Sequence, residues 1–423
     1  MTLMSQAFDT EKFAQLARND RELAYKLRGL DRAVLRIETP EGAIDVTIAD
    51  GGVCGVAPAR GDADIRLAGL PDAWENLRRN PPPPGYESLV IAGMSGVQLH
   101  GDLARFIAPY HPAWERVFQL IGETLRGPVA RRDASPEPFR GSDDAVGRYV
   151  WLTIDRVDYR LFYETAGSGP TPLVLQHTAG SDARQYRHML ADPAMQREFT
   201  MVAYDLPYHG RSLPPSSRQW WAEGYAPDQQ WYVETVVTIC DALKLDRPVF
   251  MGCSVGGQLA LDLAAFAPDR FRAVVALNGW HHMERGDFTN DIFRDPAISD
   301  NLYSSNCYGA TAPTAPEANR QETYWIYRSN YPGVYAGDND YFMFGHDLRR
   351  DGHLIDTSRI GLYAVAGEYD PSARQPGGLQ EIAARIPGAK VAVLDGQSHF
   401  APSDDPVGFN RAILPILREA AQH

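Results

Sequence analysis

Residues 248–266 read PVFMGCSVGGQLALDLAAF, and their order decides how the second half of the chain folds. The short apolar run Pro248–Met251 has the length and composition of a strand buried on both faces. Gly252-Cys253-Ser254-Val255-Gly256-Gly257 follows, and then the apolar helical stretch Gln258–Phe266. A serine hydroxyl is a weak nucleophile that has to be exposed and aimed. A sharp turn from strand to helix does both, and glycine at 252 and 256 lets the backbone pack tightly around it. The turn also puts Ser254 near a helix N-terminus, where the dipole favours developing negative charge. The bland alternative is a packing turn whose serine is idle. A cysteine nucleophile at Cys253 is a second alternative, but the pattern centres on Ser254.

Outward from this stretch, strands and helices alternate. Tyr149–Val157 and Tyr159–Thr165 read as an antiparallel start. Apolar strands follow at Pro172–Gln176, Thr200–Tyr204, Ala273–Leu277, Gly361–Ala366 and Lys390–Leu394, with helical stretches such as Trp231–Leu243 and Gln380–Ile386 between them. Such alternation implies an α/β fold with a doubly wound, mostly parallel sheet. Right-handed crossovers then bring the strand C-termini, and any site built there, to one edge.

Two further turns fall at that edge. The strand GLYAVAG runs into Glu368-Tyr369-Asp370-Pro371, and the last strand ends in Asp395-Gly396-Gln397-Ser398-His399. From Gly147 to the C-terminus, these three turns resemble the α/β-hydrolase family in chain order: nucleophile, acid, histidine. The resemblance implies Ser254 as nucleophile, Asp370 as the orienting acid (with Glu368 as its competitor) and His399 as base. It also implies an oxyanion hole from two backbone N–H groups, one on Val255 and one from the loop His177-Thr178-Ala179-Gly180-Ser181. Ala179 is the preferred donor there and Thr178 the next, because His-Thr replaces the family's usual His-Gly. His177 is read as a structural histidine holding that loop, and His209 is assigned no chemistry. Serine at 254, where aspartate would be needed, argues against an epoxide hydrolase or dehalogenase.

The family places a helical cap where this chain has residues 280–346. There 13 of 67 residues are Phe, Trp or Tyr, about twice the 10% of the whole chain, which suits either an apolar substrate or the cap's own core. Trp280, His281 and Thr178 are the expected substrate contacts. His281-His282 lacks a third ligand nearby, so no metal is expected.

The front of the chain reads differently. Asp9–Arg28 has helical spacing, Ala33–Glu38 and Ala43–Ala49 form a hairpin, Ala63–Ala68 is a strand and Asp72–Arg79 a helix. A strand at Gly96–His100 leads to a helix that Asp102 could cap. The stretches ADIRLAGLPDAWENLRR and MSGVQLHGDLARFIAPY, and the order of elements around them, resemble the sterol carrier protein type 2 family. The resemblance implies an N-terminal α+β domain that either binds lipid or serves structurally, for instance by forming a homodimer. Domains are therefore expected at 1–126 and 148–423. The Pro-, Gly- and charge-rich stretch 127–147 would be the linker, so that a fragment starting near Asp144 should fold alone.

A net charge of −13 argues against nucleic-acid partners and anionic membrane surfaces. No apolar run is long enough to span a membrane, the first twenty residues lack the apolar core of a secretory signal, and the four cysteines show no paired spacing. With the family resemblance, these imply a cytoplasmic, cofactor-free serine hydrolase acting on a carboxylic ester or lactone of an apolar small molecule, aromatic ones included. One alternative is C–C bond hydrolysis of a ketone, which asks for a cation from the cap such as Arg285, Arg294, Arg320 or Arg328. The other is a non-catalytic small-molecule or lipid binder.

Overall fold

The computed structural model describes residues 8–134, 144–283, 291–297 and 299–423. Residues 135–143 of the expected linker, and Arg285, lie outside the described residues. The chain forms two compact units, residues 1–132 with 297–314, and residues 133–296 with 315–423.

The first unit is built on a five-stranded sheet: β1 (Arg32–Thr39), β2 (Gly42–Ala49), β3 (Gly52–Pro58), β4 (Ile65–Gly69) and β5 (Val97–Gly101), in the order β3-β2-β1-β4-β5. β1 is antiparallel to β2 and parallel to β4. Alternate residues of β1, Ala33, Leu35 and Ile37, are buried, and they share one core with Phe13, Leu23, Trp114 and Phe118 from the helices. The helix expected over Asp9–Arg28 is two helices, Thr10–Asn19 and Arg21–Lys26. Asp20 divides them: its backbone is extended, and its carboxylate accepts the Leu23 N–H at 2.6 Å and so caps the second helix. Asp102 does cap its helical turn, accepting the Arg105 N–H at 2.9 Å.

The segment 280–346, read from sequence as one cap, is divided between the units. Its helix Ser299–Gly309 packs in the first unit against the helices Leu89–Gly93 and His111–Arg126. His111 Nδ1 meets Ser305 Oγ at 2.9 Å, and a Cβ on Gly309 would come within 2.8 Å of Val90. Apolar spacing reports that a face is buried but not which partner covers it, so sequence alone assigns the segment by adjacency.

The second unit is an eight-stranded sheet: β6 (Val146–Ile154), β7 (Val157–Ala166), β8 (Thr171–Gln176), β9 (Phe199–Tyr204), β10 (Val249–Cys253), β11 (Ala273–Leu277), β12 (Gly361–Gly367) and β13 (Lys390–Leu394). The order is β13-β12-β11-β10-β8-β9-β7-β6. β8 to β13 are mutually parallel, and β6 and β7 add an antiparallel edge.

Every residue of β10, β11 and β12 is buried, which requires helices on both faces. β10 sends Phe250 into a layer with Ile239, Leu259 and Leu263, and Val249 and Met251 into another with Phe409, Ile413 and Leu417. Each such side chain contributes about 1.5–3 kcal/mol on burial. The central strands are thereby fixed, and with them the turns at their C-terminal ends. Among the described residues no helix is long and apolar enough to cross a membrane.

Candidate active site

Ser254 stands between β10 and the helix Val255–Phe266 with φ 59° and ψ −113°, a conformation that side-chain-bearing residues rarely adopt. The surrounding packing over-determines it. Ser254 N–H donates to the Leu277 carbonyl at 2.9 Å, and its own carbonyl accepts the Gln258 N–H at 3.0 Å. A Cβ on Gly252 would lie 2.1 Å from the Gly256 carbonyl oxygen, and one on Gly256 would lie 2.9 Å from the Gln176 carbonyl oxygen. Glycine is required at both positions because two backbone segments pass there at contact. Cys253, next in line, points into the core, where burial pushes its thiol up and its Sγ meets the His399 carbonyl at 3.2 Å.

Asp370 follows β12 and is fully buried. One carboxylate oxygen accepts the Ser372 N–H at 2.8 Å and the Ser372 hydroxyl, and the other is hydrogen-bonded to His399 Nδ1. His399 Nε2 carries no hydrogen bond among the described residues. Asp370 and His399 are thus joined, and among the described residues no hydrogen bond joins His399 to Ser254. Phe400 stands edge-on to the His399 ring at 4.8 Å, and Tyr327 stands edge-on to Phe400 at 5.3 Å.

Asn278, which the sequence reading passed over, ties these turns together. Its amide donates to the His399 carbonyl at 3.0 Å and the Ser398 carbonyl at 3.2 Å, and its Oδ1 accepts the Gly367 N–H at 2.9 Å. The end of β12 and the histidine loop are therefore held by one side chain at the end of β11. The Asn-Gly pair at 278–279 was a visible turn signal, and Asn278 takes φ 52°.

In the loop after β8, Thr178 N–H donates to Gln185 Oε1 at 2.9 Å and Gly180 N–H to Asp338 Oδ2 at 2.8 Å. Ala179 N–H, between them, has no hydrogen-bond partner among the described residues. The carbonyl of the same peptide, on Thr178, accepts His177 Nδ1–H at 2.8 Å and the Ser181 N–H at 3.2 Å, so the Ala179 N–H must point the opposite way. His177 Nε2 accepts the Leu206 N–H at 3.1 Å, which fixes the neutral tautomer. Burial, with His209 alongside, pushes its pKa down to about 4.

The other expected contacts are placed less openly. Trp280 is buried and its carbonyl accepts His346 Nε2 at 2.8 Å. His281 Nδ1 faces His282 Nδ1 at 3.0 Å, and among the described residues no group of three metal-binding side chains forms. Thr178 Oγ1 is bonded to Gln185 and to the Tyr327 hydroxyl. Arg294 pairs with Asp340 and Arg320 with Glu317.

Residues 171–306 match the family model described as the alpha/beta hydrolase fold. The second unit has the alpha/beta hydrolase fold. The dihydrolipoyllysine-residue acetyltransferase component of the acetoin cleaving system of Pseudomonas putida is 34% identical over 109 residues, 26% of this chain and only 27% of that protein's length. The 2-hydroxy-6-oxononadienedioate/2-hydroxy-6-oxononatrienedioate hydrolase of Burkholderia vietnamiensis is 21% identical over 66% of this chain and 97% of its own. Among solved structures, the enol-lactonase from Burkholderia xenovorans aligns with a TM-score of 0.54 and 21% identity, over 64% of this chain and 100% of that one. The part of this chain that aligns therefore covers nearly the whole length of the latter two proteins.

Proposed function

We propose that the hydrolase-fold unit is a serine hydrolase that cleaves a carboxylic ester or lactone of an apolar small molecule through an acyl-enzyme. The observation that carries this reading is the bond from Asp370 to His399 Nδ1 in the same site as a serine held at φ 59°. With Nδ1–H held by the carboxylate, His399 presents Nε2 as the base. It takes the Ser254 proton as Oγ attacks the substrate carbonyl carbon. Negative charge gathers on the former carbonyl oxygen, and the Val255 and Ala179 N–H groups are the donors assigned to it. His399 then passes the proton to the departing alkoxide, which leaves Ser254 acylated. Water, deprotonated by His399, attacks the acyl group and releases the acid. Phe400 and Tyr327, close to His399, support an apolar substrate. For the first unit we propose a binding or structural role in keeping with its sterol-carrier-like sequence.

A second reading, C–C bond cleavage of a ketone, is favoured by the likeness to the Burkholderia vietnamiensis hydrolase. Ester cleavage asks less of the site, since His399 need only protonate an oxygen. The test is labelling by a fluorophosphonate, with the adduct mapped to Ser254, followed by assays on aryl esters, lactones and a vinylogous 1,5-diketone. An unlabelled protein would refute the hydrolase. Diketone turnover roughly a hundredfold above every ester, about 2.7 kcal/mol in the transition state, would select the second reading.

A further inference from the structure

Within the second unit, one carboxylate from the insert between β11 and β12 is buried against the loop that carries Ala179. Asp338 is fully buried in the helix Pro332–Asp340 and accepts four hydrogen bonds. Oδ2 takes the Gly180 N–H at 2.8 Å and His209 Nε2 at 2.8 Å, and Oδ1 takes the hydroxyls of Tyr232 at 2.5 Å and Tyr225 at 3.1 Å. His209 Nδ1 faces the Pro207 carbonyl at 3.0 Å, so both ring nitrogens face acceptors, an arrangement that favours the imidazolium. Burial opposes that charge, and Asp338 outweighs it, holding His209 above its ordinary range. Burial likewise works to raise Asp338, and His209 outweighs it, leaving the carboxyl below its usual range.

The other side of Gly180 is held as well. Asn330 Nδ2 donates to the Gly180 carbonyl at 2.7 Å while its Oδ1 accepts the Gly210 N–H at 2.9 Å. Gly180 has φ +60°, and a Cβ there would lie 2.8–2.9 Å from the Tyr335 side chain. The residue directly after Ala179 is thus gripped at its N–H, its carbonyl and its α-carbon by side chains of the insert. A fold-only explanation, a buried polar cluster that packs the helix down, requires none of these groups to converge on the loop. The same cluster could have been built on any neighbouring backbone.

We propose that Asp338, together with Asn330, is a positioning residue for the oxyanion loop: it holds Gly180 and so sets the direction in which the Ala179 N–H points. This inference rests on the serine-hydrolase reading. It makes seating of the insert a condition for stabilising the transition state, and not merely for enclosing substrate. Donors that stabilise a developing oxyanion act only if their direction is fixed beforehand, and a small misplacement costs orders of magnitude in rate.

The test uses the full chain with Asp338→Asn and, as a milder variant, Asn330→Ala. Asparagine has one acceptor oxygen in place of two and no charge to offset His209, so it cannot accept from the Gly180 N–H, His209 and both tyrosine hydroxyls together. With p-nitrophenyl acetate, and kcat expressed per site titrated by a fluorophosphonate, Asp338→Asn is expected to lower kcat at least tenfold with KM within about twofold, and Asn330→Ala to lower it less. The pH profile of kcat should keep the wild-type midpoint. A cluster that only supports the fold would reduce the number of titrated sites and leave kcat per site unchanged, and that result overturns the proposal. If Asp338→Asn does not fold, Asn330→Ala decides by the same criterion. If the wild-type protein neither reacts with fluorophosphonate nor turns over esters, the hydrolase reading fails, and amide exchange decides the clamp separately. Exchange must then rise in peptides spanning 177–182 while those spanning 249–266 keep their protection. Unchanged exchange in 177–182 would overturn it.

Discussion

Glu368 accepts the backbone N–H of Gly396 at 2.8 Å and in doing so ties the turn after β12 to the turn after β13. It is two residues from Asp370 and is that residue's competitor for the acid on sequence. Its engagement with Gly396 separates a bracing carboxylate from an orienting one. Asp370→Asn is therefore expected to lower kcat on an aryl ester by roughly 10³–10⁴, because the amide favours the wrong histidine tautomer. Glu368→Gln, which keeps an acceptor for Gly396, should stay within about threefold of the parent. Steady-state kinetics of the two variants checks both, and the reverse order would exchange their roles.

Ser254→Ala should remove hydrolysis of a p-nitrophenyl ester while keeping the fold. Loss of the nucleophile costs roughly 10⁶ in kcat in a well-studied protease. Alanine tolerates φ 59° no better than serine, so the melting temperature should move little. Residual activity above a few per cent would point to another nucleophile.

His111 is buried in the first unit beside Ser305, and burial, helped by Lys26, pushes its pKa down to about 4. Its unfolded value is about 6.5, so as pH falls the unfolded chain takes up the proton first. The stability from keeping His111 neutral is fully present above about pH 6.5 and is lost as pH falls from there towards 4. Between pH 7 and pH 5 this loss amounts to roughly 2 kcal/mol. His111→Gln should remove that part of the slope, as measured by chemical denaturation at both pH values. An unchanged slope would mean that the ring is already solvated.

A fragment beginning at Asp144 keeps the helix Ser299–Gly309 but lacks the helices Leu89–Gly93 and His111–Arg126, on which that helix packs. We expect it to aggregate. The same fragment with residues 297–314 replaced by a short Gly-Ser link should be monodisperse and should fold cooperatively. Light scattering and calorimetry distinguish the two. A well-behaved Asp144 fragment that retains residues 297–314 would show that this helix does not need the first unit's helices to cover its apolar face.

The strands of the second unit were legible because β10, β11 and β12 are buried on both faces, and continuous apolar runs of that length have few other uses. The glycines at 252 and 256 were legible for a related reason, since a turn that tight leaves room for no other residue. β3 was not. Its sequence GVCGVAP carries two glycines, it lies at the sheet edge with mostly half-exposed residues, and its register to β2 shifts between Thr47 and Ile48. Asp338 and Asn330 were passed over because they fall in polar stretches that read as a solvated surface. What buries them is the loop from β8, whose Gly180 lies 158 and 150 residues earlier in the chain. Asn278 was within reach, since Asn-Gly directly after a strand is a turn signal, but its amide bonds to two other turns depend on the assembled sheet.

The helix Ser299–Gly309 also bears on how the protein comes to exist. The first unit is complete only when residues 297–314 have been made, after most of the second unit's sheet has been synthesised. At roughly 5–20 residues per second on the ribosome, the front sheet waits roughly 10–40 seconds with the faces of Leu89–Gly93 and His111–Arg126 uncovered. The first unit closes only shortly before β12 and β13 of the second are made, and a chaperone that shields those helices would act on the nascent chain during that interval.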